Sequence, residues 1–298
     1  MFEIRVTERN SGGRVDKLVL KTFPNAPKSF AYKMFRKKNI KLNDAKIEGN
    51  EILQNGDVLT FYISDETRRS FARPENAFVE KPINVVYEDC ETLICNKPVG
   101  LLSQPDEKGG DALLSRAYFH IGTSEGVSLC NRLDRNTSGL VLIGKTLSAT
   151  RRFNNQISNR EIKKLYLAVV VGEVTKGGVI TTGYAKDAEQ NVAKIDAESG
   201  ETAITHFSPL GTAKGFSLIS VLLETGKSHQ IRLHLASKHT PILGDNKYGN
   251  IDTNRRYHAD RQLLHAHKLA FPNGREFSAP PPPYFADMLK NLSLEEFL

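Results

Sequence analysis

A chain of 298 residues, 39% of them hydrophobic, carries enough apolar side chain for one large core and a small satellite domain, which excludes general disorder. Its net charge of +7 sits at the front, because residues 1–75 hold 15 Lys and Arg against 10 Asp and Glu while the remainder holds 26 against 24; such a field draws polyanions and is screened by salt. The apolar runs are far shorter than a membrane span and the opening MFEIRVTERN lacks the apolar stretch of a signal peptide, so no membrane partner is expected and the chain reads as cytoplasmic.

Residues 2–7 alternate as a short strand, and helices are predicted over 14–20 and 29–37, the second announced by Pro27. In that second helix Phe30, Met34 and Phe35 recur at helical spacing and predict a core face, while Lys33, Arg36 and Lys37 point elsewhere. From Lys17 to Lys41 the chain carries Lys17, Lys21, Lys28, Lys33, Arg36, Lys37, Lys38 and Lys41 with no acidic residue. This is a candidate nucleic-acid face, and a solvated basic surface with no partner is the plainer alternative. NGD at 55–57 signals a turn into a strand that runs to residue 63, closing a first domain over 1–63. Residues 64–79, with DETRRSFARPEN, lack apolar periodicity and are expected to be a linker.

A second domain is predicted over 80–298. Its strand-like runs INVVYED, TLICN, GLVLIGK, LYLAVVVGE and GFSLISVLLE are interleaved irregularly with helices near 110–120, 147–158 and 228–239. This order predicts an α+β fold on a mixed, largely antiparallel sheet rather than a doubly wound parallel one. PPPP at 280–283 reads as a rigid surface connection. Cys90, Cys95 and Cys130 form neither a disulfide framework nor a CxxC pair of zinc spacing, so they read as small buried hydrophobes and no metal site is expected.

Three segments carry candidate chemistry. NRLDRNTSG at 131–139 is a loop crowded with charge and hydrogen-bonding groups; alone, Asp134 between Arg132 and Arg135 would read as a structural ion pair. TGKSHQIRLHL at 225–235 ends a strand in Thr-Gly and starts a helix near Ser228, placing His229 and Arg232 about one turn apart. An arginine beside a carboxylate favours its ionised form, which a carboxylate nucleophile needs. KKLYLAVVVGE at 163–173 sets Tyr166 at the head of an apolar strand, where a core aromatic is the plain reading.

Taken in order, KPVG at 97–100, NRLDRNTSG, KLYLAVVVG, TGKSHQIRLH, PILGDNKYG and LLHAHKL resemble the motifs of the RluA family of pseudouridine synthases, over the chain from about residue 82 to its end. RVDKLVL, PKSFAYKMFRKKNIKLND and the NGDVL turn resemble the small RNA-binding domain of the ribosomal protein S-four type. The resemblance implies isomerisation of uridine to pseudouridine in structured RNA, with Asp134 as catalytic carboxylate, Tyr166 against the base and Arg232 paired with Asp134. It also implies that Arg132 fills the space the uridine vacates. RNA contacts are expected at Arg132, Lys227, His229 and Gln230 in the cleft and at Lys17, Lys28, Lys33, Arg36, Lys37 and Lys38 in the first domain. Asn131, Asn136 and Lys227 depart from the family's usual His, Asp and Arg; the two asparagines can still hydrogen-bond a loop.

The implied reaction needs neither metal nor redox cofactor, and a monomer suffices for it. Ribosomal RNA of the large subunit is the first expected partner and transfer RNA the second. The rival readings are a non-catalytic RNA-binding or ribosome-assembly factor, and a hydrolase using Asp134 with His229 on an acidic substrate.

Overall fold

The computed structural model describes residues 1–71, 78–106, 109–187, 192–196 and 199–298. The first part of the chain folds as β1 (Phe2–Arg5), α1 (Val15–Thr22), α2 (Lys28–Arg36), β2 (Ile40–Leu42), β3 (Ala45–Lys46) and β4 (Val58–Phe61), with strand order β1-β4-β2-β3. Val15, Leu18 and Val19 on α1 and Phe30, Met34 and Phe35 on α2 recur at helical spacing and bury against Ile40, Leu59 and Phe61 of the sheet. Asp16 is buried on the first turn of α1, where Arg14 grips both of its oxygens and the Tyr32 hydroxyl donates to one of them. The segment expected to be a linker is instead helical at first. α3 (Asp65–Phe71) ends on Phe71, whose ring lies 4.9 Å from that of Phe30, so its single apolar residue packs on the first domain.

The larger part is built on an eleven-stranded sheet. Its elements are β5 (Val85–Glu88), β6 (Thr92–Lys97), α4 (Leu113–Ile121), β7 (Ser128–Leu129), β8 (Ser138–Gly144), α5 (Leu147–Ser158), β9 (Lys163–Val171), β10 (Gly178–Asp187), β11 (Val192–Ile195), β12 (Thr202–Ala213), β13 (Phe216–Leu223), α6 (Gln230–Ser237), α7 (Ile251–Arg256), β14 (Leu264–Ala270), β15 (Glu276–Ser278) and α8 (Pro283–Asn291). The strand order β11-β10-β12-β13-β9-β14-β8-β6-β5, with β15 beside β14 and β7 beside β8, is antiparallel except where β14 runs parallel to β8. The mixed, largely antiparallel α+β architecture is therefore present. β8 is buried along its whole length, as a central strand covered on both faces requires of SGLVLIG.

At the junction of β8 and β14 the chain needs glycine. Gly139 has φ +111°, and a Cβ there would lie 2.3 Å from the carbonyl oxygen of Ala266. The last of the four prolines, Pro283, opens α8, where its missing N–H costs nothing. Cys95 is buried, whereas Cys90 is exposed, contrary to the expectation that all three cysteines are internal; it sits in the turn between β5 and β6. The two parts touch: Arg9 donates to the Lys145 carbonyl, the Leu147 N–H donates to the Arg9 carbonyl, and Lys21 Nζ reaches the Val127 carbonyl and Ser128 Oγ at 3.2 Å each. The freedom expected of a linker is thus restrained by direct docking.

Candidate active site

The loop that carries Asp134 connects β7 to β8 and is fixed from four sides. Asn131 accepts the Leu142 N–H at 2.7 Å and donates to the Leu140 carbonyl, so an amide ties the loop to β8. Ser103 Oγ donates to the Leu133 carbonyl at 2.7 Å and accepts the Leu133 N–H at 3.0 Å. Gln262 Nε2 donates to Thr137 Oγ1 at 2.5 Å. Beneath the loop, the fully buried Lys97 of KPVG donates to the carbonyls of Pro98, Leu101 and Arg135 at 3.0, 2.8 and 3.2 Å. Burial pushes the Lys97 ammonium down to about 7, against the opposing pull of the Asp134 charge.

The partner of Asp134 comes from α6. His229 precedes the helix with φ +55°, a left-handed residue that turns the chain from β13 into α6 and projects Arg232 inward. Arg232 Nη1 donates to Asp134 Oδ2 at 2.8 Å. Its Nε and Nη2 form a two-pronged fork on Asp245, at 2.7 and 2.9 Å, and Asp245 also accepts the N–H groups of Lys247 and Tyr248. Burial works against the guanidinium charge, but the two carboxylates outweigh it and hold Arg232 firmly protonated. Arg232 and Asp245 are both buried, whereas the Asp134 side chain remains 26% exposed, so one carboxylate aims the arginine and the other faces the cleft.

His229 Nε2 lies 4.0 Å from Asp134 Oδ1, and its Nδ1 meets the Tyr248 hydroxyl at 3.0 Å. Burial lowers the basicity of the imidazole. The Tyr248 hydroxyl in turn accepts the Ala193 N–H at 2.8 Å, and Arg232 lies over the Tyr248 ring. Tyr166, buried on β9, lines the same cleft; burial and the nearby Asp134 charge raise its phenol well above the usual tyrosine range.

Asp134, Tyr166, His229 and Arg232 line a cleft of about 1160 Å³, larger than the roughly 300–1,000 Å³ of small-ligand clefts. Arg132 is exposed on its wall, and Lys227 lines it while pairing with Glu201 at 3.0 Å. Gln230 is a correction: it is buried, its amide nitrogen donates to Ile204 O and Thr205 Oγ1, and its oxygen accepts from Thr225 and Lys227. No group is left to contact RNA, because Gln230 pins the turn into α6. On the first domain Lys17, Lys33, Arg36, Lys37 and Lys38 are all exposed; the side chain of Lys28 lies outside the described residues. Asp245 and Tyr248 were not legible as site residues, although both lie in the PILGDNKYG segment.

A model of the RNA pseudouridylate synthase family matches residues 91–237, which contain Asp134, Tyr166 and Arg232. Along nearly its full length the chain is 32% identical to an uncharacterized RNA pseudouridine synthase, YhcT, from Bacillus subtilis (strain 168), covering 98% of this chain and 96% of that one. The chain belongs to the RNA pseudouridine synthase family. It is also 30% identical to a ribosomal large subunit pseudouridine synthase D from Buchnera aphidicola, over 88% of this chain and 86% of that one. The fold is shared with human RNA pseudouridylate synthase domain containing 4, at a TM-score of 0.58 and 22% identity over 70% of this chain and 93% of that one. The synthase activity takes it out of the two rival classes, the inert binding factor and the hydrolase. Among the described residues no helix is long and apolar enough to cross a membrane.

Proposed function

We propose that this synthase extrudes a uridine of large-subunit ribosomal RNA into the cleft and isomerises it with Asp134 as the catalytic carboxylate. The observation that carries the assignment is the Asp134–Arg232 pair at 2.8 Å, in a cleft that Asp134 and Tyr166 both line. Several relatives named for the large ribosomal subunit, the Buchnera protein among them, support the choice of RNA. Extrusion costs roughly a few kcal/mol of unstacking, and Arg132, exposed on the cleft wall, is the residue proposed to fill the gap.

In the reaction the C1′–N1 bond breaks, the freed uracil turns, and a C1′–C5 bond forms; N1 gains a proton and C5 loses one, so the nucleotide keeps its composition. Asp134 attacks the sugar C1′ or the uracil C6, or promotes elimination at the sugar, and Arg232 holds its carboxylate in place. Tyr166 forms the wall against which the base packs. Tyr166 also helps remove the C5 proton after rejoining, a role set by reach and orientation. The exposed basic face of the first domain holds RNA phosphates away from the cleft, the role expected of an S-four type domain.

Pseudouridine mapping of total RNA from cells lacking the gene, complemented with wild type or Asp134→Ala, tests this. A large-subunit site that vanishes and returns only with the wild type is the expected result. Restoration by Asp134→Ala would defeat the catalytic assignment, and a site restored in transfer RNA instead would defeat the target.

A further inference from the structure

Two lysines of the larger domain are buried close to the site, and their surroundings differ. Lys97 satisfies its ammonium on three carbonyls. Lys164 is 6% exposed, on β9 between Leu223 of β13 and Leu269 of β14, and among the described residues its ammonium makes no hydrogen bond or ion pair. It is one of the residues that line the cleft. Burial lowers its pKa with no carboxylate to offset the effect. A buried cation without acceptors is costly, and such a group persists where a ligand supplies them.

Strand geometry says where that ligand lies. Lys164 and Tyr166 are two residues apart, so both face the cleft, with a separation of roughly 7 Å along the strand. That is the scale separating a nucleobase from its own phosphodiester. Gly226, which also lines the cleft, lies beside the ammonium: a Cβ there would stand 3.4 Å from Lys164 Nζ, an ordinary contact distance.

We infer that Lys164 binds the phosphodiester of the nucleotide whose base packs on Tyr166, which makes it a substrate-binding residue of the synthase. The inference rests on the reading that this cleft receives the target uridine. Lys164 locks the sugar–phosphate in register with Asp134, so the cleft supplies its own anchor in addition to the basic face of the first domain.

The test uses the full-length protein and total RNA from cells lacking the gene, labelled with tritium at uracil C5, which isomerisation releases. Lys164→Met should raise KM and weaken RNA binding by about tenfold or more. It should also reduce the slope of log affinity against log salt by about 0.7–0.9, the share of one phosphate contact. Lys164→Arg should restore the slope. The melting temperature of Lys164→Met should be unchanged or higher, since an unpaired ammonium is removed. An unchanged slope in Lys164→Met overturns the inference, whatever the melting temperature does. A fall in kcat with KM and slope intact overturns it too, and moves Lys164 to the reacting base. A wild type that binds this RNA with the expected slope but releases no tritium would defeat the functional reading itself, while the slope comparison still decides Lys164.

Discussion

Lys97→Met should leave stability at pH 7 close to wild type while cutting turnover by about a hundredfold, the cost of a misplacement of about 1 Å at a catalytic group. Two opposing effects produce the first half. Removing the ammonium strips Pro98, Leu101 and Arg135 of a donor, at about 1–3 kcal/mol for each acceptor left buried. Against this, holding Lys97 in a site that lowers its pKa from 10.5 to about 7 costs about 5 kcal/mol, and methionine avoids that cost. The pH dependence separates them. Between about pH 7 and about pH 10.5 the unfolded chain holds a proton on Lys97 that the folded chain has released, so wild-type stability gains on the variant as pH rises through that window. Urea unfolding of both proteins at pH 7 and pH 10, beside tritium release from labelled RNA, reads both quantities. Parallel pH profiles, or full turnover in Lys97→Met, would refute the reasoning, because either means that the loop under Arg135 does not depend on this ammonium.

Asp245→Asn should keep the turn that accepts Lys247 and Tyr248 but weaken the fork on Arg232, lowering kcat by about tenfold to a hundredfold with little change in KM; a pure KM effect in steady-state kinetics would contradict this. Gly139→Ala should fail to fold or melt far lower, since the new Cβ meets the Ala266 backbone; a wild-type thermal transition would show that β8 and β14 can part without loss. Reversing the exposed basic face with Lys33→Glu, Arg36→Glu, Lys37→Glu and Lys38→Glu together should weaken RNA binding and flatten its salt dependence by about three, at about 0.7–0.9 for each phosphate contact. Unchanged filter-binding curves would remove the first domain from RNA recognition.

Asp134, Arg232 and Tyr166 were legible as a group only through the resemblance of their motifs to the synthase family, because the residues by themselves read as a structural ion pair and a core aromatic; the structure then sets Arg232 on Asp134 and brings all three to one cleft. Phe30 and Met34 were legible from periodicity alone. Gln230 misled because a side chain beside a site residue in sequence can point back under the turn, and only the positions of Ile204 and Thr205 reveal it. Asp245 stayed hidden for a similar reason, since its role depends on a turn held by Asn254 and on an arginine in another element. β10 and β12 were missed because their partly exposed alternation, rich in Thr and Gly, reads as loop.

The parallel pairing of β14 with β8 has a consequence in time. Ser138 meets His265 across 127 positions of sequence, Thr137 meets Gln262 across 125, and Asp134 meets Arg232 across 98. Contacts of such separation form late, because closing long loops precedes any gain from them. A growing chain can complete its first domain, basic face included, while the strand that seals the catalytic loop has yet to be made. The basic face proposed to hold RNA is therefore complete before the site that acts on it.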